Sequence, residues 1–277
     1  MLKIAVQKSE RISKGFLDLL NRCGLKAENN QSKLYCKFNE MPIALYFVRG
    51  SDISSLLEEK FDIAILGKDS YLEYNLANKV RIIKNLDFAK CRLSFAGKAD
   101  ANFTLQNKRI ATSYVNILKK YLTESQIDAK IIPMNGSVES SIELELADAI
   151  FDIIQTGSTL LQHGLVEHQK LLDLEAVMVA NRAFNSDILD KLLFRVNAVL
   201  NAKPCKYMMF NLPRSLVNTV LEILPAGKSP TIIDLANQEY CAIHTLCTEG
   251  EVWDICTKLQ QIGAQDILIT DVNLRFV

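Results

Sequence analysis

The sequence predicts an α/β protein in three parts: two similar blocks of alternating strands and helices, then a smaller unit of βαββαβ order. Short apolar runs of strand length alternate with stretches of helical spacing from Leu2 to Leu200. A polar, proline-ended break, Asn201-Ala202-Lys203-Pro204, interrupts this rhythm. Beyond it the order of elements changes to that of a ferredoxin-like domain.

In the first block, Leu2–Val6 reads as a buried strand and Gln7–Arg11 as the turn after it. Phe16, Leu17, Leu19, Leu20 and Cys23 then recur at helical spacing until Gly24 stops the helix. Ile43–Val48 is a second strand, a helix begins at Asp52 as N-cap, and Phe61–Leu66 is a third strand closed by Gly67. The rhythm indicates a largely parallel sheet.

The second block repeats it. Arg92–Ala96, Arg109–Thr112, Lys130–Pro133 and Ala149–Ile154 read as strands, Val115–Tyr121 and Ser140–Leu146 as helices, and another helical run starts at Leu160. Glu175–Ala180 is apolar again and is predicted to rejoin the first sheet, before a long helix over Ser186–Leu200. In the last unit, strands are expected at Tyr207–Leu212, Thr231–Leu235, Tyr240–Leu246 and Asp266–Thr270. Its helices are expected over Leu216–Leu224, stopped by Pro225 and Gly227, and over Glu251–Ile262, ended by Gly263.

Composition excludes several functions. Lys+Arg and Asp+Glu balance at 32 each, so no global field draws nucleic acid or an anionic membrane, and an anionic ligand needs a local site. The seven cysteines are scattered without a C-x-x-C pair, and the three histidines lack zinc spacing. These features predict reduced thiols. With no apolar signal region and no apolar run of about 18 residues, the expectation is a soluble cytoplasmic protein.

The chemistry is expected at Asp152-Ile153-Ile154-Gln155-Thr156-Gly157-Ser158-Thr159, where a strand meets one glycine, three hydroxyls and a helix start. Unpaired helix N–H groups, a tightly turning glycine and hydroxyl donors are what a phosphate cradle requires. No G-x-x-x-x-G-K is present, so this is not a triphosphate P-loop. On this segment alone, an ordinary N-cap at Thr156 or Ser158 explains the turn as well. Glu139, in Asn135-Gly136-Ser137-Val138-Glu139, shifts the balance, because a second helix start then lies nearby at the carboxyl ends of strands. Glu139 and Asp152 suit the hydroxyls of a vicinal diol while Thr156–Thr159 hold its phosphate, which points to a phosphorylated sugar.

Glu139 through Leu160 resembles the signature of the ATP phosphoribosyltransferases, with Glu139, Ala147, Ile150, Asp152, Ile153, Thr156, Gly157, Thr159 and Leu160 in register. The chain departs from it at Glu145, where the family carries glycine. Ala5-Val6-Gln7-Lys8-Ser9 resembles the family's first strand and nucleotide-contacting turn, with Glu10 in place of the usual glycine. Phe47–Ile53, Asp62–Asp69, Cys91-Arg92-Leu93 and Arg109–Tyr114 are similar to further landmarks.

The resemblance implies two periplasmic-binding-protein-like lobes around a central cleft, with residues 1–88 and 170–200 in the first, 89–169 in the second, and 205–277 as a regulatory domain. It implies transfer of the phosphoribosyl group of phosphoribosyl pyrophosphate to N1 of ATP, releasing pyrophosphate. This is the first step of histidine biosynthesis, inhibited by histidine in a homo-dimer or homo-hexamer. Phosphoribosyl pyrophosphate would be held by Glu139, Asp152, Thr156, Gly157, Ser158, Thr159, Arg49 and Asp69, and ATP by Lys8, Ser9, Arg92 and Ser113. Mg2+ would bind through substrate phosphates, and no acid, base or nucleophile is required.

His163 and His168 follow the loop; a general base is one role for them, ordinary helix positions the favoured one. His244 and Trp253 read as packing residues. A two-lobed small-molecule binding protein and a non-catalytic or regulatory paralogue are the competing classes. The acidic pair that marks other phosphoribosyltransferases is not found.

Overall fold

A computed structural model describes residues 1–28, 34–100, 102–224 and 230–277, with Glu58 described by its backbone. The predicted helix stop at Pro225 and Gly227 lies outside the described residues. Compactness divides the chain into two units, Met1–Leu189 and Asp190–Val277.

The first unit holds two sheets. In chain order its first part is β1 (Leu2–Gln7), α1 (Glu10–Arg22), β2 (Tyr35–Lys37), β3 (Ile43–Val48), α2 (Ile53–Glu59), β4 (Ile63–Gly67), α3 (Lys68–Glu73) and β5 (Val80–Asn85). Its second part is β6 (Cys91–Gly97), β7 (Arg109–Thr112), α4 (Val115–Glu124), β8 (Lys130–Pro133), α5 (Ser140–Glu143), β9 (Ala149–Ile154), α6 (Ser158–Gln162) and β10 (Val166–Leu174). β11 (Ala176–Asn181) follows directly. The sheet orders are β2-β3-β1-β4-β11-β5 and β10-β6-β9-β7-β8, and each sheet with its helices forms one lobe.

Apolar alternation explains most of these elements. In α1, Ile12, Phe16, Leu19 and Leu20 form the buried stripe, and Gly24 at φ +75° ends the helix. The central strands β4 and β11 are buried almost throughout, as strands covered on both faces must be.

The sheets are mixed rather than largely parallel. β1 pairs in parallel with β3 and β4, and β7 with β8 and β9, but β2, β6, β10 and β11 run antiparallel to their neighbours. The reason is connectivity: β6 and β11 each arrive from the opposite lobe. A strand entering from the cleft runs against strands that end there. The return falls at Glu175, because residues 170–174 still pair with β6; the predicted start of the return at 170 is corrected.

A second correction concerns α5. The helix expected over Ser140–Leu146 stops at Glu143, and Glu145 adopts φ +55°.

The second unit begins inside α7 (Asp187–Ala202), not at the predicted linker. The last residues of the chain tie α7 to this unit: the Arg275 amide donates to the Ala198 carbonyl at 2.9 Å, and Phe276 stacks on Phe194. Then come β12 (Cys205–Pro213), α8 (Val217–Ile223), β13 (Thr231–Asp234), β14 (Tyr240–Thr248), α9 (Val252–Gln261) and β15 (Gln265–Asp271). The antiparallel order β13-β14-β12-β15 is that of a ferredoxin-like fold. Met208, Phe210, Leu212, Cys241 and Ile243 form its core with Val220, Ile255 and Leu259 of the two helices. Trp253 is not a packing residue: it is 81% exposed. His244 accepts or donates a 2.9 Å hydrogen bond with the Tyr207 hydroxyl. All seven cysteines are free thiols. Among the described residues no helix is long and apolar enough to cross a membrane.

Candidate active site

The second lobe carries a cavity of about 350 Å3 lined by Glu139, Asp152, Gln155 and Thr156–Thr159 together with Ser94 and Arg11. β9 delivers Asp152 to its rim, and the chain then turns at Gly157, whose φ of +82° is a left-handed conformation that glycine adopts without penalty. Gly157 is also the N-cap of α6, and as glycine it brings no capping side chain. Of the N-cap alternative, the Thr156 hydroxyl keeps a long contact, accepting from the Ser158 amide at 3.4 Å, and the two hydroxyls lie 3.0 Å apart. With five residues, α6 has a small dipole, so anion binding here rests on loop N–H groups and hydroxyls.

Glu139 precedes α5, after the left-handed residues Gly136 and Ser137. Asp152 is mostly buried, and burial pushes its carboxyl up to about 6. The charges of Glu139 and Asp69 push in the same direction, against one hydrogen bond from the Ile153 amide at 2.7 Å. The cavity thus keeps acceptors in a partly buried, acid-rich corner, which suits hydroxyl donors better than a further anion.

The first lobe faces this site with α1 and α3. Asp69 is only 3% exposed and pairs with Arg11 at 3.2 Å. Arg11, which sequence reasoning did not select, also donates to the Ala89 carbonyl (3.1 Å) and to Cys91 Sγ (2.9 Å). Gly67 is required by space: a Cβ there would lie 2.0 Å from Asp69 Oδ1. The Tyr114 hydroxyl of the second lobe reaches Asp69 at 3.5 Å, and burial raises its pKa.

Glu73 is a second residue that sequence reasoning missed. Its carboxylate, on α3, accepts the amides of Asn116 (2.9 and 3.1 Å) and Ile117 (3.1 Å) at the start of α4, tying one lobe to the other. Nothing in the local sequence signals a cap whose helix starts more than 40 residues away.

Of the expected site residues, Glu139, Asp152, Thr156, Gly157, Ser158 and Thr159 meet in one cavity, and Asp69 joins them through Arg11. Lys8, Ser9, Arg49, Arg92 and Ser113 are not among its lining residues. Lys8 follows β1 with its amide on the Val48 carbonyl, Ser9 is the N-cap of α1, and Arg49 is exposed at a turn. The Ser113 hydroxyl donates to the Met134 carbonyl at 2.8 Å. Arg92 is engaged by Glu167, with Nε 2.7 Å from Oε1. His163 pairs with Glu143 and His168 stacks on Phe103; neither lines the cavity.

Comparison with known proteins decides the family. A profile of the ATP phosphoribosyltransferases (HisG) matches residues 49–198, and that of the HisG C-terminal domain matches residues 202–274. The ATP phosphoribosyltransferase of Cytophaga hutchinsonii is 37% identical over 281 residues, covering 99% of this chain and 98% of that protein. This chain belongs to the ATP phosphoribosyltransferase family. The enzyme of the same name from Parabacteroides distasonis is 37% identical over the full length of both chains. A solved chain of the ATP phosphoribosyl transferase (HisG:HisZ) complex from Thermotoga maritima covers 71% of this chain and 99% of its own, with TM-score 0.60 and 26% identity.

The two departures from the family pattern have local explanations. At Glu145 the backbone is left-handed, the conformation a glycine would take freely, and its carbonyl accepts from Arg109 Nη1 at 2.8 Å. Glu10 is the first residue of α1, where an acidic side chain complements the helix N-terminus.

Proposed function

We propose that this enzyme transfers the phosphoribosyl group of phosphoribosyl pyrophosphate to N1 of ATP, in the cytoplasm, as the first step of histidine biosynthesis. The observation that carries the reading is the meeting of Glu139 and Asp152 with the Thr156–Thr159 turn in one cavity, in a chain of this family. In the reaction, the N1 lone pair attacks C1 of the ribose with inversion, and the C1–oxygen bond breaks with its electron pair leaving on pyrophosphate. The attacking nitrogen has no proton to lose first. The protein's work is therefore orientation and electrostatic stabilisation.

Thr156–Thr159 grip the 5-phosphate, while Glu139 and Asp152 accept from the ribose hydroxyls. Arg49, and Asp69 with its partner Arg11, serve the pyrophosphate end; Lys8, Ser9, Arg92 and Ser113 serve the nucleotide side. Magnesium enters as part of the pyrophosphate substrate. Its binding runs through the substrate phosphate oxygens, the hard ligands magnesium prefers. The ferredoxin-like unit binds histidine as inhibitor, and the chain works as a homo-dimer or homo-hexamer.

The test is direct. The protein is mixed with ATP, phosphoribosyl pyrophosphate and magnesium, pyrophosphate is hydrolysed away, and the N1 adduct is sought by mass. No adduct, with both substrates still bound, supports a non-catalytic paralogue instead. Activity unchanged at millimolar histidine sinks the regulatory reading, and sedimentation with and without histidine reads the assembly.

A further inference from the structure

Behind the loop stands a side-chain cluster that the proposed chemistry does not use. β6 pairs antiparallel with β9 on one side and β10 on the other. This pairing sets Arg92 opposite Ile154, Ser94 opposite Asp152, and Glu167 opposite Ala96. Strand side chains alternate, so Arg92, Ser94, Asp152 and Glu167 share one face of the sheet. Glu167 takes a fork from Arg92: Nε lies 2.7 Å from Oε1 and 2.9 Å from Oε2, and Nη2 also donates to Oε2. The fully buried Ser94 hydroxyl donates to the same carboxylate at 2.7 Å. The remaining amino group of Arg92, Nη1, donates to the carbonyl of Gln155 at 3.3 Å. Gln155 is the residue that opens the Thr156–Thr159 turn.

We propose that Glu167 is a positioning residue: it holds Arg92 so that Nη1 grips the Gln155 carbonyl, and so fixes how Thr156–Thr159 present their N–H groups and hydroxyls to a sugar phosphate. The proposal rests on the phosphate-binding reading of that turn. It reassigns Arg92 from the nucleotide side to a strut of the loop. Three features favour the strut. The guanidinium is planar and rigid, so two points of contact with one carboxylate fix the direction of its third nitrogen. Its charge is already balanced at short range by Glu167, which leaves little field for a second anion. The turn's own side-chain support is slight, the Thr156 hydroxyl accepting from the Ser158 amide at a long 3.4 Å, so its geometry also depends on contacts at its entrance.

The experiment measures dissociation of magnesium phosphoribosyl pyrophosphate by calorimetry without ATP, the KM of each substrate, and the melting temperature. It compares the full-length wild type with Glu167→Gln, Arg92→Lys and the double variant. Expected is a rise of about ten- to a hundredfold in both the dissociation constant and the KM for phosphoribosyl pyrophosphate, the range that loss of one charged hydrogen bond produces. The KM for ATP stays within about twofold and kcat falls less than KM rises, a split that a general loss of structure does not produce. The double variant is no worse than the weaker single one, because both break one chain of contacts. Should Glu167→Gln fail to fold, Arg92→Lys alone decides, since it keeps the charge but loses the fork. Sugar-phosphate affinity that is unchanged or tighter on freeing Arg92, or a rise confined to the KM for ATP, overturns the proposal. A wild type that binds phosphoribosyl pyrophosphate but forms no adduct sinks only the proposed reaction, and calorimetry still reads the strut. A wild type that binds none overturns both.

Discussion

The second-lobe wall draws most of its polar groups from one stretch of chain, Glu139 to Thr159, with Ser94 added from β6. The first-lobe side contributes Arg11 and, through it, Asp69, two residues 58 positions apart that meet only in the fold. The walls also treat buried charge differently. Asp69 is matched by Arg11, whereas Asp152 has an amide as partner and carboxylates as charged neighbours. One wall carries the counter-charge of its carboxylate; the other keeps its carboxylate without one. A site that must grip a diol needs free acceptors, and free buried acceptors destabilise the resting protein.

The largest effect expected from breaking this contrast is on the paired side. Arg11→Ala leaves Asp69 buried alone and should destabilise the protein by about 3 kcal/mol, read from urea unfolding. Adding Asp69→Asn should restore part of the loss. A cost under about 1 kcal/mol would show that the first wall does not depend on its ion pair.

On the unpaired side the expected signs are opposite for stability and binding. Asp152 has a folded-state pKa near 6 against an ordinary 3.8, so between those values the folded chain holds a proton that the unfolded chain has released. Stability therefore falls as pH rises from about 4 to about 6, and the penalty is complete above that window. Asp152→Asn should stabilise the resting protein at pH 8 by roughly 3 kcal/mol and by almost nothing at pH 3 or below. The same variant should weaken phosphoribosyl pyrophosphate by about 1.5–3 kcal/mol, with the KM for ATP little changed. In the wild type, affinity for phosphoribosyl pyrophosphate should decline as pH falls through 6. Equal effects on both substrates would break the division of labour between the walls.

The link between the walls comes next. Glu73→Ala removes the acceptor of the first amides of α4 and should cost about 1–2 kcal/mol, a few degrees in melting temperature. The smallest effect belongs to Glu145→Gly. It relieves a left-handed residue but loosens the unfolded chain, so a net gain of about 0.5 kcal/mol is expected by thermal denaturation. A loss instead would mean that the Glu145 side chain does work of its own.

The sequence by itself determined what is local or periodic. The buried stripe of α1, the strands at residues 43–48, 109–112, 130–133 and 149–154, the βαββαβ order and the glycine–hydroxyl turn are all set by side chains within a few residues of one another. Pairing between distant segments was decided only by the tertiary structure. Strand direction in β6 and β11 follows from crossing the cleft, which apolar patterning does not encode. α7 reads as the end of the first block until Arg275 and Phe276 close on it. Arg11, Glu73 and Glu167 look like solvated charges because their partners lie 58, 43 and 75 residues away. The turn from Asp152 to Thr159 could be read because its recognition groups are backbone and neighbours. Its support could not, because a buried charge is meaningful only beside the group that balances it.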